Sequence, residues 1–135
     1  MDDYILTCLL DIRKAIVDLE VIFKDYPMRF DVFEKDDLHR TAVERKTEIM
    51  GEAMARIRRF DPNFYIPNSK DVIATRNRLI HSYDSVQPDF LWTLIIKHIP
   101  ELKADIEQLI VSRINSSDFD SEAREFIQNK VLKSN

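Results

Sequence analysis

The nine residues RNRLIHSYD, Arg76 to Asp84, place a permanent cation, an amide, an imidazole and a phenol within two helical turns. An arginine can hold a phosphate through two parallel N–H donors and offset the charge that grows there in a transition state. A histidine can take or give a proton near neutral pH. Arg76, His81 and the intervening Asn77, placed to orient either the imidazole or the phosphate, therefore suit cleavage of RNA without a metal. RNA carries its own nucleophile: a base removes the 2′-OH proton, the oxygen attacks the adjacent phosphorus in line, and an acid protonates the leaving 5′-oxygen. DNA lacks that hydroxyl and is expected to be inert. A single histidine fills only one of the two proton-transfer roles. The same residues also suit a plainer reading, in which Arg76 makes a salt bridge and His81 merely ends a helix. His39, in a charged helix start, and His98, beside Pro100, read as surface or helix-end residues. No His, Asp or Glu grouping has metal-ligand spacing and no glycine-rich loop is present to cradle phosphate, so neither metal nor cofactor is expected.

The motif needs a helix to carry it. Val72, Ile73, Leu79, Ile80 and Tyr83 recur with helical period, and Ser69 is placed to cap the segment, with Asp71 in its first turn. Arg76 falls in the middle of that apolar stripe. A guanidinium there must meet a carboxylate, line a polar cleft or face another subunit, because an unpaired buried charge is costly. A preceding helix is expected from Asp36 or Asp37 to about Phe60, on the period of Leu38, Ala42, Ile49, Ala53 and Ile57. Its stripe also carries Arg45, Glu52 and Arg56, which makes Glu52 a candidate counter-ion for Arg76 or Arg45. Gly51 inside this helix costs roughly 1 kcal/mol relative to alanine, and close approach of another backbone is the simplest reason to keep it.

Around these two helices the chain reads as all-α. A first helix runs from about Asp2 to Lys24 on Ile5, Leu9, Ile12, Ile16, Leu19 and Phe23, and Pro27 follows it. Phe30 and Phe33 read as core plugs in a short link. Pro88 opens a fourth helix with Phe90, Leu91, Leu94 and Ile95 turned inward, Pro100 marks a kink or break, and a fifth segment continues to about Ile114. The organisation expected is a helical domain over residues 1–114, then a polar linker and a short amphipathic C-terminal helix in 115–135, carried by Ala123, Phe126, Ile127 and Val131.

The chain has 135 residues, enough for one core. A single glycine leaves little turn chemistry for hairpins. Its single cysteine, Cys8, excludes an internal disulfide and reads as a buried, inert thiol. No apolar run reaches membrane-spanning length, and Met1-Asp2-Asp3 is acidic where a secretory leader is basic, so a cytoplasmic protein is expected. Net charge is −4, which by itself disfavours nucleic acid, but residues 56–81 hold six basic and two acidic side chains. Within that local positive stretch, Arg56, Arg59, Lys70 and Arg78 are the candidate RNA contacts.

The pattern Arg76-Asn77-x3-His81-x-Tyr83 resembles the signature of the HEPN superfamily, and within it the HepT-like toxins. The run RTAVERKTEIMGEA, Arg40 to Ala53, is similar to that family's second helix in its AVER and GEA elements. FLWTLIIKHIPEL, Phe90 to Leu102, matches in its Trp and IPEL element. The likeness covers roughly residues 1–112. It departs in lacking a Trp shortly before the motif, where Pro67-Asn68-Ser69-Lys70 stands, and in the extra C-terminal segment. The resemblance implies a HEPN-type up-and-down bundle of four to five main helices and a homodimer in which two Arg-x4-His motifs face one cleft. It also implies ribonuclease toxicity neutralised by a minimal nucleotidyltransferase antitoxin that adds AMP to Tyr83. A rival from another class is a non-catalytic helical adaptor that binds a nucleotide or a nucleotidyltransferase.

Overall fold

The computed structural model describes residues 3–81, 86–116 and 120–133. The first helix, α1 (Tyr4–Ile22), opens where the Asp3 carboxylate accepts the Leu6 N–H at 3.0 Å. Arg113 donates to the same carboxylate through Nε at 2.9 Å and Nη2 at 3.0 Å. Burial raises the Asp3 pKa, but Arg113 and the Leu6 N–H together outweigh it and hold the carboxyl below its ordinary range. After α1 come a single turn, α2 (Phe30–Phe33), and the long α3 (Asp37–Phe60), which Asp36 caps by accepting the His39 N–H at 3.0 Å. Next are α4 (Lys70–His81) and α5 (Pro88–Thr93). A π-helical turn, Leu94–His98, then leads into α6 (Ile99–Ile114). The chain is thus an all-α bundle with a short C-terminal helix, and the described residues contain no strand.

Packing follows the apolar periods. α1 lies along both α3 and α6, and α4 packs on α3. Leu9, Ile12 and Ile16 of α1 meet a core that includes Met50 and Ile57 of α3, and Leu102, Ile106, Ile110 and Ile114 of α6, all essentially without solvent contact. Phe33 is fully buried, as a core plug should be, while Phe30 is half-buried beside Trp92, with ring centroids 6.4 Å apart. Cys8 is buried, and burial pushes its thiol pKa up. Among the described residues no helix is long and apolar enough to cross a membrane.

Three local expectations are corrected. Phe90 is not turned inward: it is 39% exposed, with the Arg78 guanidinium over its ring. Leu38 does not face the core: in the first turn of α3 its neighbour His39 is the residue that packs against Ile22, Phe23 and Tyr26, and Leu38 is left 78% exposed. Pro100 does not break the chain. A proline ring clashes with the carbonyl four residues back, and the widened turn immediately before α6, in which the Ile99 N–H reaches Leu94 O, lets the helix pass through it.

The C-terminal segment comprises α7 (Ser121–Phe126) and a π-helical turn, Ile127–Val131. Ile127 is buried, and Arg124 Nε donates to the Ile114 carbonyl at 2.6 Å. The main anchor is Arg13, 3% exposed on α1. It donates to Glu107 Oε2 at 2.9 Å, Val131 O at 2.9 Å and Leu132 O at 3.1 Å. Arg13 lies four residues after Leu9 and three before Ile16, on the α1 stripe itself. A charge so placed needs partners, and the turn after α7 supplies two of them as backbone carbonyls.

Candidate functional site

The site is built where α4 crosses α3. Gly51, buried in the middle of α3, lies directly against Arg76: a Cβ added at Gly51 would stand 2.5 Å from Arg76 Cβ and 2.6 Å from its Cγ. The partner that requires the glycine is therefore the arginine's own stem, not a second backbone as expected. α4 can approach this closely because its buried face is narrow. Val72 and Thr75 have no exposure, and the Thr75 hydroxyl is internally satisfied by donating to Asp71 O at 2.7 Å. Ile80, on the outer edge of the expected stripe, is 46% exposed.

With its methylenes held on Gly51, the half-buried Arg76 sends its guanidinium along the groove, where Nη1 donates to Asn77 Oδ1 at 3.2 Å. Asn77 thus holds the arginine. A cleft of about 240 Å³ opens here, lined by Gly51, Ala55, Arg59, Arg76 and Asn77 among others. It adjoins a second, of about 460 Å³, through Met54, Arg58, Ile73 and Asn77, which line both. Arg58, Arg59 and Lys70 join Arg76 around the pair, and among the described residues no carboxylate lines either cleft. Among the described residues none of these four cations is ion-paired. The arrangement favours a polyanion.

Other expected site residues fall elsewhere. Glu52 pairs with Arg56, Oε1 to Nη2 at 3.1 Å, and not with Arg76 or Arg45; Arg45 instead lies 3.6 Å from Glu48. Arg56 lines a separate groove between α1 and α3 whose cations are interleaved with Asp11, Asp18 and Glu52. The Arg78 guanidinium rests 5.8 Å from the centre of the Phe90 ring, outside both clefts. The basic stretch of the sequence is thereby divided: Arg59 lines the Arg76 cleft and Lys70 the one adjoining it, while Arg56 and Arg78 line neither.

His81 is the exposed last residue of α4. Five residues of helix separate it from Arg76 by about 7.5 Å along the axis and roughly 140° around it. Tyr83 lies outside the described residues. The remaining histidines have structural surroundings: His39 packs on Tyr26 and Phe23, with Nε2 3.3 Å from Ile22 O, and His98 Nδ1 lies 3.3 Å from Asp71 Oδ2.

A family model described as ribonuclease HepT-like matches residues 12–109, a span that contains α3, α4 and the Gly51–Arg76 contact. The chain belongs to this HepT-like family. Among its relatives, "Probable ribonuclease HepT" of Thermococcus cleftensis is 34% identical over 103 residues, 73% of this chain and 89% of that protein. "Putative RNase MJ0127" of Methanocaldococcus jannaschii is 31% identical over 107 residues, 74% of this chain and 88% of its own length. "Putative RNase TTE0752" of Caldanaerobacter subterraneus is 32% identical over 82 residues, 60% of this chain and 73% of its own. No solved structure matches the chain. The HepT-like match runs from 12 to 109, so Arg13 lies just within it, whereas Val131 and Leu132, whose carbonyls Arg13 holds, lie beyond it.

Two contributors to the clefts, Arg58 and Tyr65, were not singled out from the sequence as site residues. For Arg58 a signal existed: Gly51, Ala55 and Arg58 stand at i, i+4 and i+7, one face of α3. Tyr65 sits in an irregular loop, where periodicity carries no information.

Proposed function

We propose that this HepT-like chain is an endoribonuclease toxin of the cytoplasm that cleaves RNA by attack of the substrate's own 2′-OH. Arg76 binds the scissile phosphate and neutralises its growing negative charge, Asn77 fixes the guanidinium, and Arg59 and Lys70 draw in the strand. His81 transfers the proton: as base it takes hydrogen from the 2′-OH while oxygen bonds to phosphorus, or as acid it supplies hydrogen to the 5′-oxygen as the P–O5′ bond breaks. The second role falls to His81 of a second copy, because one chain offers one such histidine and the resemblance implies a homodimer in which two Arg-x4-His motifs face one cleft. The observation that carries this reading is Arg76 seated on Gly51 and tied to Asn77 at 3.2 Å, in a cleft without carboxylates.

The test is cleavage of single-stranded RNA in EDTA. Products with 2′,3′-cyclic phosphate and 5′-OH ends are expected, and His81→Ala should lose on the order of 100-fold or more in rate. Full activity in His81→Ala, equal cleavage of DNA, or a strict need for a divalent metal would overturn the proposal. Neutralisation follows from the resemblance: a minimal nucleotidyltransferase antitoxin adds AMP to Tyr83, and the added negative charge and base oppose RNA binding. Co-expression with such a partner should add about 329 Da per AMP to the intact mass, and Tyr83→Phe should not gain it.

A further inference from the structure

The larger cleft holds neither Arg76 nor His81; Lys70 at its rim and Asn77, shared with the Arg76 cleft, are its links to the chemistry above. It is about 460 Å³, within the roughly 300–1,000 Å³ usual for small-molecule sites. Its floor is apolar, made by Met54, Ile57 and Ile73, and its rim carries Arg58 and Lys70. The 61–69 loop forms the outer wall, and that wall is anchored at several points. Ile66 is buried, and the Ser69 hydroxyl donates to its carbonyl at 2.7 Å. Asn68, at φ 58°, donates its side-chain amide to Asp105 of α6. The Arg113 guanidinium lies 5.7 Å from the centre of the Phe64 ring. Between these anchors Tyr65 lines the cleft with 70% of its surface exposed. A large aromatic left to solvent by a fixed loop, beside two cations and no carboxylate, is unlike the mixed-charge groove between α1 and α3.

We infer that this cleft is a nucleotide subsite, in which one base of the RNA strand stacks on Tyr65 above the apolar floor while an adjacent phosphate meets Arg58 and Lys70. Its position on the substrate path rests on the ribonuclease reading, since the strand continues through Asn77 to the phosphate on Arg76. The chemistry of the pocket does not: aromatic stacking with flanking cations suits any single-stranded nucleic acid, and it accepts all four bases. Arg58 and Tyr65 thereby become substrate-binding residues distinct from the Arg76 and His81 machinery.

The test uses 2′-O-methyl tetranucleotides, which cannot be cut because the nucleophile is blocked, with one abasic residue placed at each position in turn. Fluorescence anisotropy gives the dissociation constants. In the wild-type protein one abasic position should weaken binding roughly tenfold. In Tyr65→Ala that position should cost nothing further, and Tyr65→Phe should behave as wild type. Arg58→Ala should weaken every oligonucleotide alike and reduce the salt slope by about one. Tyr65 is exposed, so circular dichroism of the variant is expected to match wild type. If Tyr65→Ala keeps the wild-type abasic profile, the subsite is refuted whether or not RNA is cut. If all-ribose RNA is not cut but the profile depends on Tyr65, the ribonuclease reading fails and the subsite stands. Free 5′-AMP should compete only far above the oligonucleotide concentration; AMP binding tighter than the tetranucleotide would overturn the placement on a strand.

Discussion

An alanine at position 51 would set a methyl carbon 2.5 Å from Arg76 Cβ and 2.6 Å from its Cγ, against a preferred carbon–carbon separation of about 3.5–4.0 Å. Arg76 Cβ is fixed to the α4 backbone, so the overlap can be relieved only if α3 and α4 move apart. Overpacking of this kind costs about 1–3 kcal/mol, while replacing glycine by alanine inside a helix returns about 1 kcal/mol. The net destabilisation is then about 0–2 kcal/mol, too close to zero to be decisive alone. A double-mutant cycle isolates the contact. In an Arg76→Gly background there is no Cβ to strike, and Gly51→Ala should simply stabilise by about 1 kcal/mol. The two backgrounds should therefore differ by about 1–3 kcal/mol, read from urea unfolding at one fixed protein concentration. Equal effects of Gly51→Ala in both backgrounds would refute the argument that the glycine exists to seat this arginine. A functional consequence follows: a displacement of Arg76 by about 1 Å should reduce RNA cleavage on the order of 100-fold in a protein that remains folded.

Arg13→Met should release the C-terminal segment, because two carbonyls and Glu107 lose their donor; breaking a buried pair costs about 3–5 kcal/mol, and less here since Glu107 is 33% exposed and can hydrate. Hydrogen exchange should show amides of 121–133 losing protection while α1 to α6 keep theirs, and unchanged protection would contradict the anchor. Asp18 accepts from Lys46 Nζ at 2.9 Å and Lys14 Nζ at 3.0 Å. The Lys46 hydrogen bond, aided by Lys14 and opposed by burial, holds its carboxyl below the ordinary value of 3.8. A depressed folded pKa gives stability that is present above the unfolded value and lost as pH falls through the folded one. Asp18→Asn should thus be less stable than wild type at neutral pH, by about 0.2–1 kcal/mol for so exposed a network, with the gap closing below pH of about 4. A gap that persists undiminished into acid would exclude this origin.

The helices were legible because their signal is local. The stripe Leu9, Ile12, Ile16 and Leu19 predicts α1 with its buried face, the pair Asp36 and Asp37 announces the start of α3, and Pro88 that of α5. Errors arose where a neighbour decided the outcome. Leu38 keeps the helical period, but the turn it sits in buries His39 against Phe23 and Tyr26 instead, and Pro100 keeps its helix because the preceding π turn absorbs the clash. Arg13 escaped notice because its partners, the carbonyls of Val131 and Leu132, lie 118 and 119 residues away.

Residue type and order alone determined the all-α class, the helix that bears Arg76 and His81, and the need for Arg76 to find a polar setting within an apolar stripe. These follow from periodicity and from the cost of burying charge, which act within a few residues of chain. Only the tertiary structure decided which setting Arg76 found, that Gly51 makes room for its stem, and that Arg58 and Arg59 share its cleft, with Lys70 in the adjoining one, while Glu52 and Arg56 neutralise each other. Those outcomes depend on how two helices cross and which of their faces meet, and a crossing is fixed by packing between segments that one helix's own sequence does not contain.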